Sequence, residues 1–396
     1  MRVLHVINDL AIGGTEIMLF KLLSATNRDL FEPAVISLNG SSPLIKRITE
    51  LGIPVESVGA KSSLIDLVSL TRLVRIARRF SPQLIQGWMY HGNLAAQAAA
   101  TFVPPPVKVV WNIRQSLSSL DEEKLATAKV IRLGARLSNL PDLILNNSQK
   151  SVAQHQARGF PANKTLVIPN GFDTDIFRPS EDAYASVRAE LGVPEKAILV
   201  GRIGRYHHTK DYPNFLQSAA LLRRDFPDIQ FVVAGKDVDW NNDALRRQVH
   251  ELGLIERIHL LGERLDIPRL TASLDIAVSS SHAEGFPNVV GEAMASAVPC
   301  VATDVGDSKW LVGDTGKIVA SRDSEALAAR CKELLQLSRE QRKALGQAAR
   351  SRITAHYSIA SVVFLYESLY QQIVTTGWEA ETVNSWKQLA FNAEEP

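Results

Sequence analysis

The sequence predicts an α/β protein made of two Rossmann-like, doubly wound domains that face a cleft. The 396 residues exceed the length that one hydrophobic core usually organises. Short apolar segments alternate with helical ones along the first 180 residues, and the alternation restarts near Lys196. The apolar segments are continuous, which is typical of parallel strands covered on both faces. Two parallel sheets with helices on both faces account for these three observations.

The first domain is predicted over residues 1–178. Its strands are expected at seven apolar segments: RVLHVIN, FEPAVISL, IPVESVG, QLIQGW, KVVWNIR, DLILNNS and TLVIPN. Helical stretches such as GTEIMLFKLLSATN and SLIDLVSLTRLVRIARRF lie between them. Ligands of such sheets bind beyond the carboxyl ends of the strands, so functional residues are expected just after strands.

The second domain is predicted over residues 196–356. Its strands are expected at AILVGRIGR, IQFVVAGKD, RIHLLGE, LDIAVSSS and PCVATDV, with helices from Asp211, Asp243, Pro287 and Ser324. The polar, turn-rich residues 179–195 predict a linker with a short helix. The remaining predictions are a C-terminal helix over 357–378 that packs back toward the first domain, and a tail over 379–396.

Composition narrows the functional classes. The chain is 45% hydrophobic and 22% charged, as is typical of globular proteins. It has no apolar run near the roughly 18 residues that a membrane span needs, and no signal peptide precedes the first strand. Its two cysteines, Cys300 and Cys331, provide no disulfide framework or metal cluster. The sequence lacks the motifs of P-loop proteins, zinc proteases and nucleophile elbows. It also lacks an acidic metal-binding pair and any nucleic-acid-binding motif. A cytoplasmic protein without metal or nucleic acid is expected.

Charge is unevenly distributed. Residues 1–180 carry 20 Lys and Arg against 13 Asp and Glu, a net +7, so the rest carries −5 of the total +2. The first half therefore either meets a membrane surface or an anionic partner, or differs only in its solvated faces. The arginine-rich helix expected over 63–80 could either contact anionic lipid or be an ordinary surface helix. An ordinary surface helix is favoured, because the segment has little Trp or Phe to insert into a membrane.

Gly13 and Gly14 follow the first strand and precede a helix. A glycine pair at such a turn lets the backbone approach a ligand, and the helix N-terminus favours an anion. Because the pattern is not GxGxxG, it gives little support to a dinucleotide-binding site. A tight strand-to-helix turn explains the glycine pair equally well.

Two cations follow the first strand of the second domain. Arg205 and Lys210 lie five residues apart in GRYHHTKD. An arginine fork and a lysine point charge at a strand end suit a diphosphate. Exposed loop cations are the alternative, and the strand-end position makes the two about equally favoured.

The segment HAEGFPNVVGEAMA, residues 282–295, combines a loop and a helix after a strand. Pro287 suits the first helical position, and the Asn288 and Val289 amides are expected to be free to bind an anion. Glu284 lies in the loop, and Glu292 lies in a small, apolar helix that reads as buried. A carboxylate there needs a partner.

His91 follows the fourth strand of the first domain, in WMYHGN. A histidine there could donate to a sugar hydroxyl or a phosphate, although local satisfaction at a helix N-terminus is common. Arg114 ends the next strand and, with Asn93, is a weaker candidate for contact with an acceptor.

The ordered set of motifs resembles the family-4 retaining glycosyltransferases of the GT-B fold. It comprises GGTE, WMYHGN, VIPNGFD, GRYHHTKD, HAEGFPNVVGEAMA and PCVATDVGD, and covers almost the whole chain. The spaced Glu284 and Glu292 pair is its most specific part. The chain departs from the family at Ser296-Ala297, where Cys-Gly is frequent, and in the two histidines of GRYHHTKD.

The resemblance implies a nucleotide-sugar site. Arg205 and Lys210 would hold the donor diphosphate, Glu284 the donor sugar and Glu292 the ribose hydroxyls. The amides of Asn288 and Val289 and the Gly13-Gly14 loop would surround the phosphates. Gly285 and Phe286 would complete the donor site, and His91 would face the donor sugar across the cleft.

The implied function is transfer of a hexosyl or N-acetylhexosaminyl group, with retention, from a UDP-sugar to a glycan or lipid-linked acceptor during polysaccharide or lipopolysaccharide synthesis. No cofactor or metal is implied, because protein cations and helix amides would offset the leaving diphosphate. The location would be cytoplasmic, with peripheral contact at the inner membrane face. A nucleotide-sugar epimerase, a phosphorylase and a non-catalytic nucleotide-sugar-binding protein are the alternatives on this architecture.

Overall fold

The computed structural model of the chain forms two units. Unit 1 comprises Met1–Gly171 together with the described residues from Ile359 onward, and unit 2 comprises Phe172–Ser358. The structure describes residues 1–40, 42–59, 66–104, 107–117, 119–121, 123–378 and 386. The tail predicted over 379–396 lies outside the described residues except for Trp386, which is buried in the core of unit 1. Within the described residues, no helix is long and apolar enough to span a bilayer.

Unit 1 is built on a sheet of seven parallel strands in the order β3-β2-β1-β4-β5-β6-β7. Its strands are β1 Arg2–Ile7, β2 Glu32–Ser37, β3 Val55–Ser57, β4 Leu84–Trp88, β5 Lys108–Ile113, β6 Leu143–Asn146 and β7 Thr165–Val167. Its helices are α1 Gly14–Ala25, α2 Pro43–Glu50, α3 Leu67–Phe80, α4 Met89–Ala100, α5 Leu125–Leu137, α6 Gln149–Gln156 and α15 Ile359–Thr375. All seven predicted strands are present.

Unit 2 is built on six parallel strands in the order β10-β9-β8-β11-β12-β13. Its strands are β8 Leu199–Ile203, β9 Gln230–Ala234, β10 Ile258–Leu260, β11 Ile276–Ser279, β12 Cys300–Thr303 and β13 Lys317–Val319. Its helices are α7 Glu181–Leu191, α8 Tyr212–Asp225, α9 Asp243–Glu251, α10 Ile267–Ala272, α11 Asn288–Ala295, α12 Ser308–Val312, α13 Ser324–Leu335 and α14 Arg339–Arg352. Five of the six strands were predicted. The predicted class, two doubly wound parallel α/β domains, is confirmed.

Helix α15 belongs to unit 1, although it follows unit 2 in the chain. Val362, Tyr366, Leu369 and Ile373 are buried in the same core cluster as the apolar residues of α1 and the sheet. Removing these side chains from water explains why the last helix returns to the first unit.

The structure divides the chain at Gly171 rather than after residue 178, and residues 179–195 form part of unit 2 rather than a linker. Helix α7 is fixed there by Arg188, whose guanidinium is buried. It pairs with Asp275 at 2.6 Å and donates to the Ala197 and Ser273 carbonyls. A buried ion pair with its hydrogen bonds satisfied holds this polar helix against the unit.

Both sheets reverse strand order at one place. In unit 1 the reversal separates β1 from β4, and in unit 2 it separates β8 from β11. The carboxyl ends of strands at such a switch point leave a crevice between loops that run to opposite faces. The loops after these four strands carry most of the residues predicted to be functional.

Candidate functional site

The switch point of unit 2 joins the loop after β8 to the loop after β11. The His282 amide donates to the Thr209 carbonyl at 2.9 Å. The Ser280 hydroxyl lies within hydrogen-bond distance of the Lys210 and Asp211 carbonyls, at 3.1 and 3.0 Å. The two loops are therefore joined by a backbone hydrogen bond and by the Ser280 hydroxyl.

Lys210 and Glu284 meet at this junction. The ammonium of Lys210 forms an ion pair with Glu284 Oε1, and the Ser281 hydroxyl donates to the same oxygen at 2.8 Å. The Lys210 and Glu284 side chains are 22% and 12% exposed, so the pair is largely withdrawn from water. Folding thus brings together two predicted site residues that are 74 positions apart in the chain.

Arg202 was missed by the sequence interpretation, yet it organises this junction. Its buried guanidinium lies 3.9 Å above the ring of Tyr212, and Nε donates to Ser280 at 3.2 Å. Its Nη2 donates to the carbonyl of Lys210. Burial lowers the pKa of Arg202. A cation inside the apolar strand LVGRI was the signal available in the sequence, because such a residue needs buried partners.

Arg205 is exposed, two residues beyond the end of β8. Gly204 and Gly235 make the close approach that shapes this turn: a β-carbon on Gly235, whose φ is +153°, would lie 2.2 Å from the Gly204 carbonyl oxygen. The backbone just after β9 thus packs closely against the backbone of the loop that presents Arg205.

The start of α11 differs from the prediction. Helix α11 begins at Asn288, with Pro287 as its N-cap residue rather than its first helical residue. The Asn288 amide is not free, because it donates to the Phe286 carbonyl at 3.0 Å in a tight turn. Among the described residues, the Val289 amide has no such partner. Its predicted role as an anion donor stays a prediction.

The side chain of Phe286 belongs to the core of unit 2. It is 5% exposed and packs against Phe172, Trp310 and Tyr357. This packing anchors the loop, and the predicted contact of residue 286 with the donor stays a prediction. Beside it, a β-carbon on Gly306, whose φ is +58°, would lie 2.5 Å from the Gly285 carbonyl oxygen, so the backbones pack without intervening side chains.

Glu292 is half-buried on α11, whereas Val290, Gly291, Ala293, Met294 and Ala295 around it are buried. The prediction that this short helix is buried is confirmed. The carboxylate lies at the edge of the buried surface, about one turn after the start of α11.

In unit 1, Gly13 is the N-cap of α1 and Gly14 is its first residue. A β-carbon on Gly13 would lie 2.4 Å from a carboxylate oxygen of Glu16, so the glycine gives this side chain room to turn back toward the helix start. Burial raises the pKa of Glu16, and the nearby Asp9 adds to the rise. Glu16 is the last residue of the GGTE motif, and the sequence alone does not indicate a function for it.

His91 lies in the first turn of α4 and is half-buried. Its Nε2 atom is buried and has no hydrogen-bond partner among the described residues. Burial lowers the His91 pKa, which favours the neutral ring. Met89, two residues earlier, has a φ of +60°, an uncommon conformation for a non-glycine residue that concentrates at functional sites.

Arg114 and Asn93, the residues predicted on the acceptor side, are both buried, and their contact with an acceptor stays a prediction. The buried guanidinium of Arg114 donates to the Tyr366 hydroxyl of α15 at 2.9 Å and to the side-chain oxygen of Asn170. Asn93 is 2% exposed and accepts the backbone amide of Asn112 at 3.0 Å. Both side chains are committed to joining elements within unit 1.

The structure therefore assembles only part of the predicted site. Lys210 and Glu284 are in contact, and Arg205 and Glu292 lie on neighbouring elements of the same sheet edge. Gly13, Gly14 and His91 follow the two strands at the switch point of unit 1. Among the described residues, no group of three or more His, Cys, Asp or Glu side chains is arranged to hold a metal.

Two protein-family profiles match the chain in succession. Glycosyltransferase Family 4 matches residues 12–176, and Glycosyl transferases group 1 matches residues 185–352. The two matches follow the division of the structure into two units.

Curated relatives have related names. The lipopolysaccharide core biosynthesis mannosyltransferase LpsB of Rhizobium meliloti is 36% identical over 41% of this chain and 48% of LpsB. The putative glycosyltransferase EpsF of Bacillus subtilis is 24% identical over 76% of this chain and 79% of EpsF. The chain thus spans about half the length of LpsB and about four fifths of EpsF.

Solved structures share the fold. Anabaena Alr3699/HepE, crystallised in complex with UDP, has a TM-score of 0.80 at 23% identity, covering 94% of this chain and all of that one. WaaG, a glycosyltransferase involved in lipopolysaccharide biosynthesis, has a TM-score of 0.66 at 16% identity, covering 95% of this chain and all of that one. With a family profile matched in each unit, the chain belongs to the group 1, family-4 glycosyltransferases of the GT-B fold.

Proposed function

We propose that the chain is a retaining glycosyltransferase that moves a sugar from a UDP-sugar to a glycan or lipid-linked acceptor in cell-surface polysaccharide or lipopolysaccharide synthesis. The observation that carries the proposal is the Lys210–Glu284 pair at the β8/β11 switch point. A cation and a carboxylate held side by side at a strand-end crevice suit a ligand with a diphosphate next to a hydroxyl-rich sugar.

The cations would act on the leaving group. As the bond between the sugar and the diphosphate breaks, negative charge develops on the diphosphate oxygens. The fixed charge of Lys210 and the exposed guanidinium of Arg205 would stabilise that charge more in the transition state than in the bound donor. Arg202 would act through Lys210, because it holds the backbone carbonyl of that residue.

The carboxylates would position hydroxyl groups. Glu284 is ion-paired and accepts a hydrogen bond from Ser281, which fits a hydrogen-bond acceptor for the donor sugar better than a nucleophile. We therefore propose no covalent intermediate on Glu284. Glu292 would accept hydrogen bonds from the ribose hydroxyls, and His91 would donate a hydrogen bond to the donor sugar.

Names of similar proteins support the donor and acceptor classes. HepE structures are described as complexes with UDP and with UDP-glucose. LpsB is named as a core mannosyltransferase, and an Escherichia coli relative, 27% identical over 56% of this chain, as a galactosyltransferase acting on a diphosphoundecaprenol-linked sugar. A UDP-sugar donor, a hexosyl or N-acetylhexosaminyl group, and a lipid-linked acceptor at the inner membrane face are proposed accordingly.

A two-step experiment tests the proposal. Thermal-shift measurements with nucleotides and nucleotide sugars identify the donor, and radiolabelled transfer to lipid-linked acceptors then measures activity. The variants Lys210→Ala and Glu284→Ala are expected to lower transfer at least about 100-fold. Retention is read from the anomeric configuration of the product by NMR.

Two exposed residues of unit 2 supply matched controls. Glu263→Ala removes an exposed carboxylate, and Lys332→Ala breaks the exposed pair with Asp225. Both controls are expected to transfer at the wild-type rate. Full activity in Lys210→Ala or Glu284→Ala would reject the site, and release of an altered nucleotide sugar without acceptor would identify an epimerase instead.

A further inference from the structure

A cavity of about 570 Å³ lies in unit 2 beside the start of α8. Its wall combines the loop after β8 and the first turn of α8 with His282 and Arg322, which follow β11 and β13. Its volume falls in the range of small-molecule sites, about 300–1,000 Å³. None of the described residues that line it belongs to the donor site proposed above. The cavity is therefore a separate candidate site on the same edge of the sheet.

Asn214 is buried in the wall of this cavity without hydrogen-bond partners for its side chain. It is 4% exposed, and neither its side-chain oxygen nor its side-chain nitrogen has a partner among the described residues. Its neighbours Phe215 and Leu216 belong to the apolar core, so packing alone does not explain a polar side chain at this position. Buried polar atoms without partners destabilise a fold. We expect a molecule in the cavity to supply both partners.

The two atoms of the Asn214 side chain define the chemistry of that molecule. The oxygen accepts hydrogen bonds, whereas the nitrogen only donates them. Phosphate or another anion would satisfy only the nitrogen, and a metal ion would satisfy only the oxygen. A hydroxyl group both donates and accepts, so two neighbouring hydroxyls of a sugar ring satisfy both atoms.

The start of α8 disfavours an anion in the cavity. Asp211 is the N-cap residue, and its side chain accepts the backbone amide of Asn214 at 3.4 Å. Pro213, in the first turn, has no amide hydrogen to offer. The helix start therefore presents a carboxylate of its own, which repels a second negative charge.

Three histidines add ring faces and polar atoms to the wall. The ring centroid of His208 lies 4.2 Å from that of His207 and 5.9 Å from that of His282. Burial and then the nearby charge of Arg205 lower the pKa of His207, which favours the neutral ring. A neutral imidazole carries one donor and one acceptor, as hydroxyl groups require. In the part of the chain that the structure describes, no His, Cys, Asp or Glu group is arranged to hold a metal ion.

We propose that this cavity binds a sugar residue of the glycan on which the enzyme acts, other than the sugar transferred from the donor. Neighbouring hydroxyls of that residue would bridge the oxygen and nitrogen of Asn214, and the imidazoles of His208 and His282 would bind further hydroxyls. His207 and His208 are the histidines by which GRYHHTKD departs from the family. This assignment rests on the proposed function, to which it adds a second saccharide subsite in unit 2.

The test measures sugar binding to the full chain without a nucleotide sugar. Methyl α-glycosides of glucose, mannose, galactose and N-acetylglucosamine are titrated and followed by saturation-transfer difference NMR. At least one is expected to bind, and inorganic phosphate is expected not to displace it. Asn214→Leu should weaken binding about tenfold or more, because two hydrogen bonds are lost. Glu284→Ala lacks the carboxylate proposed for the donor sugar and should retain binding, because Glu284 does not line the cavity.

The Tm without sugar separates a ligand site from a water-filled cavity. Leucine resembles asparagine in shape and leaves no polar atom unpaired, so Asn214→Leu should melt at or above the wild-type Tm. A lower Tm would mean that ordered water satisfies Asn214, and it would overturn the proposal.

A second variant and a matched control do not depend on the buried position. His208→Ala/Gln217→Ala trims two exposed side chains of the wall and should weaken sugar binding. His250→Ala/Gln336→Ala removes the same residue types from exposed positions elsewhere in unit 2 and should bind as the wild type does. Circular dichroism confirms that all variants fold.

Four results would each overturn the proposal: no binding of any of the four glycosides, displacement by phosphate, undiminished binding in Asn214→Leu, or equal weakening by the two double variants. Loss of binding in Glu284→Ala would assign the sugar to the donor site and overturn it as well. Transfer activity is measured separately. Sugar binding without transfer would contradict only the proposed function, and transfer without sugar binding would contradict only the second subsite.

Discussion

Gly92 lies one residue after His91, where α4 crosses the backbone of β1. A β-carbon built on Gly92 would lie 2.5 Å from the carbonyl oxygen of Val6 and 3.4 Å from the α-carbon of Ile7. Real β-carbons essentially never approach an atom closer than 3.0 Å, so Gly92→Ala requires α4 or β1 to move by at least 0.5 Å. The obstacle is backbone within a sheet, which cannot turn aside as a side chain can.

The size of the effect follows from two opposing contributions. Alanine is favoured over glycine inside a helix by about 1 kcal/mol. Overpacking a tightly packed site costs about 1–3 kcal/mol. Gly134, in α5 of the same unit, supplies the comparison, because its β-carbon would have only the ring of Phe160 nearby, at 3.9 Å. The helix preference is common to both sites, so the difference between the variants is the overpacking cost.

We expect Gly134→Ala to raise the free energy of unfolding by up to about 1 kcal/mol. Gly92→Ala should be about 1–3 kcal/mol less stable than Gly134→Ala. Urea unfolding followed by tryptophan fluorescence measures both, and hydrogen exchange of peptides from α4 assigns the change to unit 1. Since the displaced turn carries His91, Gly92→Ala should also lower transfer activity, whereas Gly134→Ala should not.

Equal stability of the two variants would refute the reasoning, since it would mean that α4 and β1 separate without cost. A destabilised Gly92→Ala variant with full activity would refute only the second step, the one that links the position of His91 to transfer.

Three further predictions concern buried polar groups. Burial lowers the pKa of His5 to about 3, while the ring in the unfolded chain titrates near 6.5, so the free energy of unfolding should fall by about 2 kcal/mol between pH 7 and pH 5. His5→Asn keeps an acceptor for Trp88 and should reduce this pH dependence in urea titrations, and an unchanged pH dependence would exclude His5 as its source. Tyr366→Phe leaves the buried Arg114 guanidinium without one acceptor and should cost about 1–3 kcal/mol of unfolding free energy in the same assay; a cost near zero would show that α15 docks without this bond. Arg202→Met should raise the KM for the donor about tenfold or more, with partial recovery in Arg202→Lys; an unchanged KM would remove Arg202 from the positioning of Lys210.

Strands could be predicted wherever the sequence carries a continuous apolar run, and this accounts for twelve of the thirteen strands. The missed strand, Lys317–Val319, has three residues and begins with lysine, so no apolar run distinguishes it from a loop. Helix α7 was taken for part of a linker because its composition is polar. Its place in unit 2 depends on Asp275, 87 residues from Arg188, and such a partner is invisible to local patterns.

The same limit applies to the site. The sequence could place Lys210 and Glu284 after neighbouring strands, because parallel strands present their carboxyl ends at one edge. It could not show that Arg114 is buried, because the burial comes from Tyr366, 252 residues later in the chain. Nor could it show that Phe286 turns into the core, since an aromatic residue in a glycine-rich loop suits a ligand contact equally well.

The ion pair also suggests how a carboxylate would lie beside the proposed diphosphate site without repelling the anion. Glu284 offsets the charge of Lys210 locally, while Arg205 is exposed and Arg202 is buried a few residues away. Because Arg202 and the Lys210–Glu284 pair are largely withdrawn from bulk water, their charges act through a lower effective dielectric than exposed side chains would. Position as well as charge then matters: Arg202, by holding the Lys210 carbonyl, fixes where the ammonium meets both the carboxylate and any phosphate that approaches it.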